Sequence, residues 1–353
     1  SLTLQSRLYS IGEYALQGCT QLSDLRLPEQ LSRIGQYAFA DCISLSELTL
    51  PDSLQEAGQG LLNGCYSLYR LTTPFVGGSR GMETYLSYMF GGYSCYESYY
   101  IPSSLQEVCV TDITDLGDGA FYNCSRLISA ELPEGLTTVG NSAFQGCTQL
   151  SSLTLPKGLS DVGQYAFADC YALTELTLPD SLLTMGRGAL NNCNSLSRLI
   201  TPFVGAGRDK ETYLAYLFGG YSYYESHIIP VSLTEISVTD ITSLEEGAFY
   251  NCSQLTSVKL PEGVTSIGSN AFAYCSQLSR VDLPSTIAYI FDSAFQGCEQ
   301  LSSANFSEKL QYIGNYAFQG CAQLSSADFS EGLSSIGSYA FQGCAQLSSA
   351  DFS

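Results

Sequence analysis

LTTVGNSAFQGCTQLSSLTLPKG, Leu136 to Gly158, decides the reading of this chain, because the same 23-residue pattern recurs on both sides of it. Generalised, the unit is LxxIGxxAFxxCxxLxxLxLPxx, and cysteine marks its period. Cys19, Cys42 and Cys65 stand 23 residues apart, as do Cys124, Cys147, Cys170 and Cys193, and again Cys252, Cys275, Cys298, Cys321 and Cys344. Two gaps of 59 separate the three runs, and residues 65 to 124 match residues 193 to 252 without a gap, a shift of 128. A fixed period of this size means stacked structural repeats, and the longer shift means that a block of them was duplicated.

The chemistry of the unit predicts its shape. In LxxLxL the apolar positions, such as Leu150, Leu153 and Leu155, face one side of a short strand, with an exposed residue between the last two. Pro28, Pro51, Pro133, Pro156, Pro179, Pro261 and Pro284 follow directly and end the strand, since proline donates no ladder hydrogen bond. The return path holds an apolar residue plus glycine, as in Val139 and Gly140, where the backbone must be tight, and then an Ala-Phe pair. Phe39, Phe121, Phe144, Phe167, Phe249, Phe272, Phe295, Phe318 and Phe341 are expected to stack as an aromatic spine on the convex side. No coil could bury these rings alone, so stability is a sum of nearest-neighbour terms. Strands are expected from Leu22, Leu45, Leu68, Leu105, Leu127, Leu150, Leu173, Leu196, Leu233, Leu255, Leu278, Leu301, Leu324 and Leu347. The whole of residues 1–353 is expected to form one continuous solenoid of about 14 to 15 coils, with long inserted coils at 74–100 and 202–229.

Composition narrows the partners. Hydrophobic residues make up 45% of the 353 and charged residues only 14%, enough apolar content for a continuous core and too little charge for disorder. A net charge of -20 repels phosphate backbones and anionic headgroups, so neither nucleic acid nor direct membrane insertion is expected. No apolar run reaches the ~18 residues of a membrane span, and SLTLQSRLYS lacks the basic start and apolar stretch of a signal peptide. Residue 1 falls inside a repeat, so the natural chain is expected to extend upstream. Enzyme readings fail by inventory, because His227 is the single histidine and no Walker, GxGxxG or HExxH signature stands in context. No catalytic residue, cofactor or metal site is therefore expected, and no CxxC pair suggests zinc.

The unit IGxxAFxxCxxLxxLxLP is similar to the BspA-like, or Treponema pallidum type, leucine-rich repeats, over nearly the whole chain. The resemblance implies an α/β-type repeat solenoid: a right-handed leucine-rich-repeat coil with a parallel β-sheet on one face, mostly β and irregular structure, and short helical turns on the convex side. It also implies a surface or secreted setting, adhesion and no active site. The two long coils depart from the plain repeat and resemble insertions of the PFVG plus YxFG kind.

Those insertions are rich in tyrosine. Residues 74–100 hold Tyr85, Tyr88, Tyr93, Tyr96, Tyr99 and Tyr100, and residues 202–229 hold Tyr213, Tyr216, Tyr221, Tyr223 and Tyr224. Met82 to Phe90 has helical spacing with Gly91 and Gly92 as a stop, which predicts a short helix and a Tyr-lined loop. Tyrosine offers a flat apolar face and a hydroxyl, suited to sugars and proteins; packing of the rings onto the coil is the competing reading. Cys95 and Cys109 lie outside the period, and both are lost together in the copy, at Tyr223 and Ser237. That paired loss suggests a disulfide and an oxidising compartment, against two independent thiols. The periodic cysteines point the same way from stacked positions and are expected to be buried thiols. Asn123, Asn251 and Asn305 lie in glycosylation sequons, although the first two occupy a slot elsewhere filled by Gly18, Asp41, Gly146, Asp169 or Gly297, which signals a left-handed turn.

On the exposed strand face Arg26, Thr49 and Thr72 give way to Asp282, Asn305, Asp328 and Asp351, an acidic end that suits a cation or basic partner, or simply a solvated face. Gln277, Gln300, Gln323 and Gln346 are expected to form a side-chain ladder. Two functions remain. One is a non-enzymatic extracellular or cell-surface recognition protein that binds a protein or glycan through its repeat surfaces and Tyr-rich insertions. The other is a structural repeat that assembles with copies of itself, end to end or laterally, into a filament or sheath, since neither end shows a polar capping unit.

Overall fold

A computed structural model describes residues 1–81, 84–208, 210–304, 306–329 and 331–351. The chain divides into two compact units, Ser1–Leu173 with Ala189–Cys193, and Thr174–Gly188 with Asn194–Ser353. In the first unit the strands Glu47–Thr49, Arg70–Thr73, Glu107–Val110, Ser129–Glu131 and Ser152–Thr154 form one parallel sheet in chain order. Its register follows the repeat, with Leu48 opposite Leu71, Leu71 opposite Val108 and Val108 opposite Ala130. A second set of two-residue strands runs through the return path, among them Asp115–Leu116, Thr138–Val139 and Asp161–Val162.

The second unit repeats the plan. Glu175–Thr177, Arg198–Thr201, Glu235–Val238, Ser257–Lys259 and Arg280–Asp282 make its main parallel sheet, and five short strands from Ser243–Leu244 to Ser335–Ile336 make the other. The strand expected from Leu301 is missing from residues 301–304. The same Ser-Ser-Ala stretch does form a strand at Ser326–Asp328 and Ser349–Asp351, so side-chain composition does not account for the break. In the coils that do have a strand, it is centred on the second apolar position of LxxLxL, while the first, from Leu45 to Leu324, lies buried just ahead of it.

The aromatic spine lies in the core of each unit. Phe121, Phe144 and Phe167 stack at 5.0 and 5.7 Å in the first unit, and Phe249, Phe272, Phe295, Phe318 and Phe341 at 5.0 to 5.2 Å in the second. Each ring from Phe121 to Phe318 is buried, so its apolar surface is removed from water by its neighbours in the stack. The thiols serve the same stack: Cys147 Sγ donates to the carbonyl of Phe121 at 3.1 Å and Cys298 Sγ to that of Phe272 at 3.1 Å, one coil back. Cys42 through Cys321 of the periodic set are buried, whereas Cys19 is exposed and Cys344 partly so.

The glycine after the apolar return residue is required by contact rather than by dihedral. A Cβ on Gly140 would stand 2.6 Å from the backbone nitrogen of Asp118, and one on Gly163 2.5 Å from that of Asn141. Coil backbones approach there too closely for any side chain. Beside that contact runs a ladder of side-chain caps that the sequence reading did not foresee: Asp118 Oδ1 accepts from Asn141 N–H at 2.6 Å, and Asn141 Oδ1 from Gln164 N–H at 2.8 Å. The glutamine ladder is displaced from the expected slot. Gln296 donates to Gln319 and Gln319 to Gln342, at 2.5 and 2.6 Å, because the residue after Phe lies along the packed return path, while Gln277, Gln300, Gln323 and Gln346 face solvent.

Candidate functional site

Each unit carries one insertion, and each insertion is tied down in the same way. Thr73 Oγ1 donates to the carbonyl of Phe75 at 2.7 Å, turning the chain out of its strand, and Thr201 does the same to Phe203 at 2.7 Å. The Arg80 guanidinium then reaches back to the Asp112 carboxylate at 2.6 Å and to the carbonyls of Leu54 and Asp52 at 2.9 and 3.0 Å. Arg208 repeats these bonds with Asp240, Leu182 and Asp180.

The predicted helix is a five-residue 3-10 helix, Leu86–Phe90, which Thr84 and Tyr85 precede without helical structure; Met82 and Glu83 lie outside the described residues. It takes the place of the Ala-Phe turn in the stack. Its Tyr88 and Met89 carbonyls accept from Gly60 and Leu62 at 2.9 and 2.7 Å, and Leu86 N–H donates to Ala120 at 2.8 Å. Gly91 closes it with φ 108°, as foreseen for a glycine stop. Leu214–Phe218 with Gly219 is its copy.

This anchoring sorts the tyrosines into two groups. Tyr85 meets Tyr88 edge to face at 6.1 Å, and Tyr213 meets Tyr216 likewise at 6.1 Å. These four pack the helix onto the coil, and burial raises the Tyr213 hydroxyl well above its ordinary range, helped by a hydrogen bond to Glu211. Tyr93, Tyr96 and Tyr99, at 71 to 73% exposed, and Tyr221 and Tyr224, at 73 and 63%, do the opposite. They stand in solvent yet are held. In the first unit Glu97 accepts from Tyr93 N–H and from the Tyr99 hydroxyl, and Tyr96 lies edge-on to Tyr122 at 5.1 Å. In the second, the half-buried Tyr223 packs on Tyr224 at 4.2 Å, and both rings meet Tyr250. The Arg187 guanidinium sits 3.9 Å from the Tyr221 ring centre and donates to the Gly219 carbonyl.

Regular coils thus contribute partners that sequence reading missed. Tyr122, Tyr250 and Tyr274 extend the two aromatic clusters, and Tyr14 stacks on Tyr37 at 5.5 Å. A different slot of the regular coil holds Tyr14, Tyr37, Ser142 and Tyr165, all with positive φ. In the coils following the insertions that slot is Gly119 and Gly247. A Cβ on Gly119 would stand 2.8 Å from Cys95 Sγ, and one on Gly247 2.4 Å from the Tyr223 ring. Glycine there makes room for the insertion.

Cys95 and Cys109, read as a disulfide pair, are both free. Their surroundings share no residue: Cys95 lies against Gly119 and Asp118, whereas Cys109 sits on the strand face beside Glu131 and Arg70. The chain does not bring the two sulfurs together. Asn123 and Asn251 occupy left-handed turns with φ of 54° and 51°, and Asn305 lies outside the described residues.

Two concavities lie near these features in the first unit. A groove of about 610 Å³ runs over the strand face between Asp24, Arg26, Glu47, Asp52 and Thr72. A smaller pocket of about 220 Å³ opens between the end of the insertion and the coil of Cys124. Among the described residues no three His, Cys, Asp or Glu side chains converge as a metal site would require, and no helix is long and apolar enough to cross a membrane.

The family model for the BspA type leucine rich repeat region (6 copies) matches residues 1–111, 114–239 and 218–348. No curated protein matches the chain. Among solved structures it is similar to a leucine-rich repeat protein from Bacteroides ovatus, at 27% identity and a TM-score of 0.46, over 97% of this chain and 81% of that one. It is also similar to the T. pallidum leucine rich repeat protein, at 26% identity and 0.33, over 59% and 85%. A leucine rich cell surface protein from Faecalibacterium prausnitzii shares 23% identity, with a TM-score of 0.37, over 99% and 89%.

Proposed function

The chain belongs to the BspA-type leucine-rich-repeat family, and from that premise we propose that it is a non-enzymatic recognition protein of the cell surface or extracellular space. It binds a protein or glycan through the exposed tyrosines of its two insertions. One observation carries this reading: Tyr93, Tyr96, Tyr99, Tyr221 and Tyr224 remain more than half exposed while their loops are held by charged and aromatic contacts. Rings needed only to pack an insertion would be covered, as Tyr85, Tyr88, Tyr213 and Tyr216 largely are. Aromatic side chains that are rigid before binding lose little conformational entropy in a complex, which is why tyrosine dominates the energetics of many interfaces. The net charge of -20 favours a neutral or basic protein surface or a glycan over nucleic acid.

A combined protein and glycan array tests this, comparing the intact chain with Tyr93→Ala/Tyr96→Ala/Tyr221→Ala/Tyr224→Ala. The expected result is a hit lost by at least about tenfold in affinity, the scale of one hot-spot residue, with an unchanged melting temperature. Equal binding by the folded variant would remove the tyrosines from the account.

A further inference from the structure

We propose that the pocket between the first insertion and the coil of Cys124 is a subsite for a single acidic sugar residue, a carboxylate-bearing pyranose. The inference rests on the recognition reading above and names a ligand class for one of its surfaces.

The pocket holds about 220 Å³, below the ~300 to 1,000 Å³ of sites for drug-sized ligands and suited to one six-membered ring with its substituents. Ile101, Leu105 and Leu127 give it apolar walls, and Tyr99, Asn123 and Arg126 also line it. Each of the three has a feature relevant to such a ligand. The Tyr99 ring is 72% exposed but fixed, tilted on Tyr100 at 4.6 Å with its hydroxyl donating to Glu97 at 3.2 Å. It presents an apolar platform of the kind that the C–H face of a pyranose covers. Asn123 stands in a left-handed turn with φ 54° at the rim, its amide oxygen lying over Gly146 of the next coil. Arg126 is exposed and forms no ion pair among the described residues, although the chain carries 34 acidic side chains against 14 basic ones. A planar guanidinium with no carboxylate of its own is a two-pronged donor for a ligand carboxylate.

The duplicated block supplies an internal comparison. At the positions 128 residues later, Tyr99 becomes His227 and Arg126 becomes Gln254, and the Asn251 amide donates to Ser226 Oγ at 3.1 Å. The phenol ring and the guanidinium are both replaced in the copy, so the subsite belongs to the first insertion alone.

Saturation-transfer NMR and calorimetry on the full chain, with the methyl glycosides of glucuronic acid and N-acetylneuraminic acid as probes, test the proposal. Methyl glucoside serves as the neutral ring and inorganic phosphate as an anion without a ring. At least one acid should bind at about millimolar Kd, a typical strength for a small single-site contact, with one site per chain, and at least tenfold more tightly than the glucoside or phosphate. Arg126→Gln should bring the acid down to the level of the neutral sugar, Tyr99→Ala should abolish both, and Tyr99→Phe should retain them. Failure of both acids to bind the intact chain overturns the subsite, as does binding that survives Arg126→Gln, binding of phosphate as tight as the acids, or a stoichiometry of two. If the acids fail while array binding still depends on Tyr221 and Tyr224, the subsite falls and the recognition reading stands.

Discussion

At residue 247 there is no room for one methyl group: a Cβ would stand 2.4 Å from the Tyr223 ring, and the backbone φ of +66° favours glycine independently. Gly247→Ala should therefore destabilise the chain by about 1 to 3 kcal/mol, from left-handed strain plus displacement of the ring. Gly158→Ala, where the nearest atom is 3.6 Å away and φ is not positive, should stay within about 0.5 kcal/mol of the parent. Urea unfolding midpoints compare the two, and equal losses would contradict the cradle. The periodic thiols make a second prediction. Burial pushes Cys65, Cys193 and Cys275 up to about 12 from an ordinary 9. A raised thiol pKa stabilises the fold fully below pH 9, and that contribution is lost as pH rises toward 12. Stability should then fall between those limits by up to about 1.4 kcal/mol per pH unit for each such thiol. Unfolding midpoints at pH 8, 9.5 and 11 check this, and a flat profile would count against buried thiols. That the cysteines are buried could be read from their period. Their hydrogen bond to the Phe carbonyl one coil back could not, because spacing fixes which residues stack and not which atoms meet.

The insertions show where legibility stops at the level of elements. Their length, glycine stop and tyrosine content were plain in the sequence, but Met82 to Phe90 reads as one helix, whereas the described Thr84 and Tyr85 lie outside it and Leu86–Phe90 has 3-10 geometry. The cause lies outside the segment: the helix must donate and accept along the coil ladder, to Ala120 on one side and from Gly60 and Leu62 on the other, and five tight residues fill that place. Likewise the sequence shows eleven tyrosines without showing that the helix pins four of them. The clasp at Arg80 and Arg208 was not legible at all, since its partners Asp52 and Asp180 lie in preceding coils, 28 residues away. Arg208→Ala should release residues 202–229 while leaving the stack intact, raising hydrogen exchange in peptides from the insertion and not in those around Phe272 or Phe295. Unchanged exchange in the insertion would show that the clasp does not hold it.

Across the whole molecule, the coil, its parallel sheets and its phenylalanine spine were legible because a 23-residue period leaves one solution: no repeat buries its own Phe, and each neighbour supplies what is missing. The free Cys95 and Cys109 are an exception that arose where an inference used one pair of residues outside the repeat, whereas the absent strand at residues 301–304 is a place where one coil departs from the repeat. The duplicated block then puts the same anchored insertion into each unit with different exposed chemistry, Arg187 beside Tyr221 in one and Tyr99 beside Arg126 in the other. All of this depends on coils stacking in register. Residue-resolved amide hydrogen exchange measures that stacking directly, because Phe121, Phe144, Phe249, Phe272, Phe295 and Phe318 each donate their N–H to the alanine carbonyl of the next coil at 2.7 Å. Strong protection should recur at these amides every 23 residues within each unit, with fast exchange at the exposed positions between them. Protection in continuous helical runs, or none at the phenylalanine amides, would contradict the stacked coil and everything built on it.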